Sequence, residues 1–158
     1  LRFAQDGTSA EVVPPGTLDS PVGLAVDRDG RLFVADTGHR RVVVFDPDGL
    51  RVHEWPIEGW APGPRLEPGL AVGPDGTVWV TDPTGGRVLL FDGRGQPLGA
   101  LTGSPLDLPL GISVVDAETA FVTDGGRHSV VRISRGAPDG ARADAPPASA
   151  PVVGRERP

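Results

Sequence analysis

Three aspartates, Asp36, Asp82 and Asp124, each close a short apolar run, and the first two are followed five residues later by arginines, Arg41 and Arg87, where the third has a serine at 129. Carboxylates at equivalent places around one centre could hold a hard cation, which favours several oxygen ligands. The same groups could instead cap their own loops or pair with the arginines, an arrangement copied wherever the surrounding segment is copied. The recurring Asp-Arg spacing favours the second role, and no metal or cofactor is expected of them.

The loops behind these aspartates, residues 37–40, 83–86 and 125–128, are expected on one face together with the longer connections 56–68 and 103–109. That face offers His39, Arg40, Arg127 and His128, and it adds Trp60, which sits in a Pro- and Gly-rich stretch poorly suited to burying it. Exposed Trp, Arg and His commonly anchor interfaces, although loop side chains on a repeat are more often simply solvated. These five are the candidate binding residues. No residue stands out as catalytic: the chain has no cysteine nucleophile and its serines lack a nucleophile-elbow context. Its glycines recur as turns and open no phosphate-binding helix. The third histidine, His53, falls in a peripheral segment, so three imidazoles are not expected to converge.

The elements that position these residues come from an internal repeat. Pro21-Val-Gly-Leu-Ala-Val-Asp27, Leu32-Phe-Val-Ala-Asp36 and Arg41-Val-Val-Val-Phe-Asp46 return 46 residues later as Gly69-Leu-Ala-Val72, Val78-Trp-Val-Thr-Asp82 and Arg87-Val-Leu-Leu-Phe-Asp92. A third copy follows after 42 more, in Gly111-Ile-Ser-Val114, Phe121-Val-Thr-Asp124 and Val130-Val-Arg-Ile133. The apolar segments are separated by turn signals such as Asp46-Pro-Asp-Gly49 and Gly73-Pro-Asp-Gly76, which mark hairpins. Runs such as Val42-Val-Val-Phe45 lack polar alternation, as strands covered on both faces do. A weaker fourth segment, 51–55 or 96–101, completes each unit. Four short antiparallel strands every 42–46 residues is the pattern of a β-propeller blade.

The pattern P-x-G-[LI]-[AS]-V-D, a Gly turn, [LV]-[FW]-V-[AT]-D-x-x-x-x-R-V and then Phe-Asp resembles the NHL repeat over about residues 18–134. The stretch Ala35-Asp-Thr-Gly-His-Arg-Arg-Val42 carries the likeness most closely, although the family's usual Asn is missing from it. The fold expected is all-β, a sector of four-stranded antiparallel blades, and the resemblance implies a complete ring of six. Propellers resembling this family include metal-dependent lyases and lactonases with His and carboxylate ligands on the central channel.

Residues 1–13 fit the repeat at an offset of 42, so the chain is expected to begin inside a blade and to continue upstream. Blades are expected at about 18–55, 66–102 and 108–134, for thirteen strands grouped two, four, four and three. Such a sector leaves two blade faces open, to be covered by further blades of the same protein or by a second copy. Residues 135–158, with five prolines and many alanines, are expected to be a disordered tail.

Composition narrows the partners. Net charge is −6, and residues 1–134 hold 18 acids against 11 arginines. Nucleic-acid binding needs clustered cations, so no RNA or DNA partner is expected, and no apolar run is long enough to insert in a membrane. All 15 basic residues are arginine, with Lys, Asn, Met, Tyr and Cys absent, a bias expected of GC-rich bacterial coding. The function expected is a non-catalytic scaffold binding a protein or small molecule on its loop face. The alternatives are a sector of a metal-dependent lyase or lactonase, or a sensory ectodomain of a bacterial membrane protein facing outside the cytoplasm.

Overall fold

The computed structural model describes residues 2–3, 9–60, 67–102 and 106–135. They form thirteen strands and no helix, in four separate antiparallel sheets. A first hairpin joins β1 (Arg2–Phe3) to β2 (Ser9–Ala10). The second sheet runs β3 (Pro21–Val26), β4 (Leu32–Asp36), β5 (Arg41–Phe45) and β6 (Arg51–Pro56) in sequence order. The third repeats it with β7 (Leu70–Val72), β8 (Val78–Asp82), β9 (Arg87–Phe91) and β10 (Pro97–Leu101). The fourth has three strands, β11 (Pro109–Val114), β12 (Thr119–Asp124) and β13 (Ser129–Ser134).

The second, third and fourth sheets are up-and-down meanders because their strands are joined by tight turns with the residues that such turns require. At the turns after β3, β5 and β9 the aspartates Asp27, Asp46 and Asp92 accept hydrogen bonds from the backbone N–H groups two and four residues on. These side chains close the turns at Gly30, Gly49 and Gly95, all at positive φ.

The sheets stack face to face, and the apolar core lies between them rather than within any one. Between the second and third sheets pack Phe33, Ala35, Val42, Val44 and Trp55 from one side and Leu70, Val78, Val80 and Phe91 from the other. The rings of Trp55 and Phe91 meet across this gap at 5.7 Å between centroids, tilted by 45°. Between the third and fourth lie Trp79, Val88 and Leu90 against Ala120, Val122, Val131 and Ile133. The far side of the second sheet, at Val34, Val43 and Phe45, is covered by Val13 and Leu18.

The first strands, β3, β7 and β11, lie side by side, and the repeat glycine at their start lets them touch. A Cβ at Gly69 would strike the Leu110 carbonyl; instead Gly69 N–H donates to that carbonyl at 2.8 Å. The buried Thr81 hydroxyl reinforces the seam, donating to the same oxygen at 2.7 Å. Four-stranded antiparallel sheets stacked by their faces around adjoining first strands make a β-propeller sector.

Two expectations are corrected here. Trp60 is buried, with 3% of its surface exposed. The chain after β6 folds back through Ile57, whose N–H donates to the Arg40 carbonyl, and carries the indole into the gap between sheets, where Nε1 donates to the Thr81 carbonyl. Gly59, at φ 94°, takes part in that return. Arg135, expected at the head of the tail, closes the fourth sheet: its N–H donates to the Glu118 carbonyl, and its guanidinium bonds Asp75 and Thr77 of the third. The remainder of the expected tail, 136–158, lies outside the described residues, as do 61–66 and 103–105 of the two long connections.

Candidate functional site

The turns at 37–40, 83–86 and 125–128 leave the same end of their sheets, because each links the second strand to the third of its repeat. The aspartate at the end of each second strand is buried and organises its own turn, by a different route in each sheet.

In the second sheet Asp36 accepts from the Asp19 N–H at 2.7 Å, from Arg41 Nε at 2.8 Å and contacts His39 Nδ1 at 2.9 Å. Burial pushes its carboxyl up, but the Arg41, Asp19 and His39 bonds outweigh that and hold it below the ordinary value of 3.8. Arg41 reaches on to Glu54 at 2.9 Å, so the ion pair is part of a short network that ends at Arg51. In the third sheet Asp82 accepts from the Gly85 N–H at 3.0 Å and Arg87 Nε at 2.8 Å.

In the fourth sheet, with serine at the arginine position, Asp124 relies on backbone alone: the N–H groups of Asp107, Leu108 and Arg127 donate to it at 2.7, 3.1 and 3.1 Å. Burial again raises its carboxyl and these N–H groups bring it below its ordinary value. Each carboxylate is therefore satisfied inside its own sheet. Among the described residues, no three His, Asp or Glu side chains come together as a metal-holding group.

Of the candidate binding residues, His39 and Arg40 are exposed on the second sheet and Arg127 and His128 on the fourth. The structure brings them to one face as two pairs, with the turn of the third sheet between them, and it removes Trp60 from that face. His39 is held by Nδ1 on buried Asp36 while 48% of its side chain stays exposed.

Arg40 and His128 have φ of 54° and 51°, the left-handed region in which a Cβ is crowded. Their counterpart in the third sheet is Gly86, at φ 58°, the residue that adopts this backbone freely. Two of three equivalent turns thus keep a large polar side chain where glycine would cost less.

The same face holds groups that residue type alone did not single out. Asp19 and Asp107 are exposed and stand at the same repeat position, two residues before Pro21 and Pro109, with equivalent N–H bonds to Asp36 and Asp124. Their carboxylates lie over Gly38 and Gly126, where a Cβ would collide with them. Ser20, at φ 50°, donates its hydroxyl to Asp19. The recurrence of Asp-x-Pro before two first strands was the signal that would have found the pair.

Comparison with known proteins places this geometry. Residues 18–45, which span β3 to β5 and the His39 turn, match the NHL repeat family model. No curated protein matches the chain by sequence. Among solved structures, a catalytically inactive histidine-to-alanine variant of virginiamycin B lyase from Staphylococcus aureus, with quinupristin, superposes at a TM-score of 0.67 and 18% identity, over 85% of this chain and 45% of that one. A streptogramin B lyase gives 0.66 and 16% identity, over 84% and 43%. Kuenenia stuttgartiensis hydrazine synthase gives 0.62 and 23%, over 85% and 37%. The chain thus spans less than half the length of these structures, and the likeness is one of fold.

Proposed function

Because the chain is an NHL-repeat β-propeller sector, we propose that it is a binding scaffold whose working surface is the turn face carrying His39, Arg40, Arg127 and His128. The observation that carries this reading is the left-handed backbone at Arg40 and His128. A non-glycine residue there costs on the order of 1 kcal/mol, and neither side chain recovers that cost by burial. Such strain persists where the side chain has a task outside the fold.

The exposed charges on this face are mixed, with Asp19 and Asp107 beside the four basic groups. That pattern suits a partner offering both carboxylates and donors, a peptide segment or a polar small molecule, more than the uniform charge of a nucleic acid.

The test is partner capture by the intact chain compared with a variant carrying Arg40→Gly and His128→Gly. That variant should melt higher and lose the captured partner. Retention of the same partner at the same strength would contradict the proposal.

A second reading follows from His39. An imidazole held through Nδ1 by a buried carboxylate, with about half of its side chain exposed, has the arrangement that general acid–base chemistry uses. Two of the similar folds are lyases, and one of those structures is inactivated by loss of a histidine. Under this reading the chain consumes quinupristin, followed by chromatography, and His39→Ala stops it; under the scaffold reading neither protein does so.

A further inference from the structure

We propose that the cleft between the second and third sheets, at the end opposite the His39 turn, binds a small carboxylic acid that also carries hydroxyl groups. Its volume is about 410 Å³, and its walls come from the turn after β3 on one side and the turns after β7 and β9 on the other. The two walls belong to sheets already packed on each other, so the cleft is bounded by the chain's own turns.

Arg31 is the fixed cation of this cleft. Its Nε donates to the Asp27 carboxylate at 2.7 Å, and its guanidinium carbon stands 5.6 Å from the centre of the Phe33 ring. These two contacts hold the group in place before a ligand binds, which lowers the cost of ordering it. Among the described residues its two terminal nitrogens donate to no acceptor. With the side chain only 31% exposed, they form a half-buried pair of donors in the fork geometry that suits a carboxylate.

The neighbouring gap shows what is missing. Thr77 holds the repeat position of Arg31, 46 residues on, and Arg135 holds that of Gly93, 42 residues on. Between the third and fourth sheets these two meet: Arg135 donates to the Thr77 hydroxyl at 2.9 Å and to Asp75 at 3.0 Å. Between the second and third sheets the same line runs from Arg31 to Gly93, which has no side chain to complete it. The backbone at Gly93 does not call for glycine, since its φ is not positive and its counterpart 46 residues earlier is Pro47. A Cβ added there would lie 3.3 Å from an Arg31 terminal nitrogen. Glycine at 93 thus leaves a guanidinium facing a space that the next gap fills from within the chain.

The rest of the lining selects the ligand. Arg94 adds a second cation, exposed and without a hydrogen bond from its side chain among the described residues. Asp92 Oδ1 accepts the N–H groups of Arg94 and Gln96, each at 2.8 Å, which leaves Oδ2 to accept from a ligand hydroxyl. Asp75 places another carboxylate in the lining, already engaged with Thr77 and Arg135. A single ligand carboxylate is matched by Arg31, whereas a doubly charged phosphate would be repelled by the two acidic side chains.

The experiment is isothermal titration calorimetry of the full chain with glucuronate, glucose and inorganic phosphate. Glucuronate should bind at one site per chain, and glucose and phosphate should bind about tenfold more weakly or worse, the loss expected when a charge-assisted contact is absent. Gly93→Asp supplies the carboxylate from within the chain. That variant should melt no lower than the wild type and bind glucuronate about tenfold more weakly or not at all. Arg31→Gln should lose binding as well, with its circular dichroism unchanged. No heat with glucuronate overturns the proposal, as do glucose or phosphate binding of equal strength and a folded Gly93→Asp variant that binds as the wild type does. The titration uses no partner of the His39 turn, so this inference and the proposed function fail separately.

Discussion

β8 reads Val78-Trp-Val-Thr-Asp82 and the corresponding part of β12 reads Ala120-Phe-Val-Thr-Asp124, yet all five residues of β8 are buried while β12 alternates buried and exposed. Nothing within the strands explains the difference. β8 has a sheet on each side, whereas β12 has one on only its Ala120 and Val122 side. In a stacked repeat the stabilising power of a side chain belongs to the gap it faces, so one sequence can supply core in one copy and surface in the next.

The comparison breaks most visibly under truncation. Trp79→Ala should cost about 3–5 kcal/mol in chemical denaturation. Phe121→Ala should cost about 1 kcal/mol or less, as an exposed substitution does. Trp79→Phe sharpens the point: the indole Nε1 is buried without a partner, so replacing it with the residue already used at positions 33 and 121 should cost less than about 1.5 kcal/mol. Equal losses for Trp79→Ala and Phe121→Ala would mean that the neighbouring sheet is not what buries the ring.

The turn aspartates provide the next contrast. Asp36 and Asp124 both have carboxyls held below their ordinary value in the folded chain. The unfolded chain therefore binds more protons in acid; stability is fully present above the unfolded value and declines as pH falls below about 4 toward the folded values. Asp36→Asn, which removes the charge opposite Arg41 and His39, should cost about 1.5–3 kcal/mol at neutral pH and flatten that acid limb, as read from urea midpoints across pH. Asp124→Asn should flatten it too, without any change in the behaviour of Arg41. An acid limb unaltered in both variants would assign the dependence to other carboxyls.

Smaller effects are expected at the strained turns. Arg40→Gly and His128→Gly should each stabilise by about 1 kcal/mol, while Gly86→Ala should destabilise by a similar amount. A loss of stability in the glycine variants would show that Arg40 and His128 serve the fold rather than the exposed face.

Strand order was legible because the repeat is dense: Gly69, Thr81 and Asp82 all have partners 46 residues earlier or 42 later, and each copy checks the others. The burial of Trp60 was hidden for the opposite reason, since the return through Ile57 between β6 and β7 has no second copy to reveal its spacing. The Asp36–Arg41 pair could be anticipated from spacing, but the N–H donors on Asp124 could not, because backbone groups carry no residue identity. Left-handed backbone at Arg40 became visible only beside Gly86, when equivalent turns of adjacent sheets were compared.

The stacking itself is tested most directly by a double-mutant cycle on Trp55 and Phe91, which belong to different sheets and meet at 5.7 Å. Unfolding free energies of Trp55→Ala, Phe91→Ala and the double variant should show a coupling of about 0.5–1.5 kcal/mol. Losses that simply add, within about 0.3 kcal/mol, would place the two rings apart and contradict the face-to-face arrangement of the sheets.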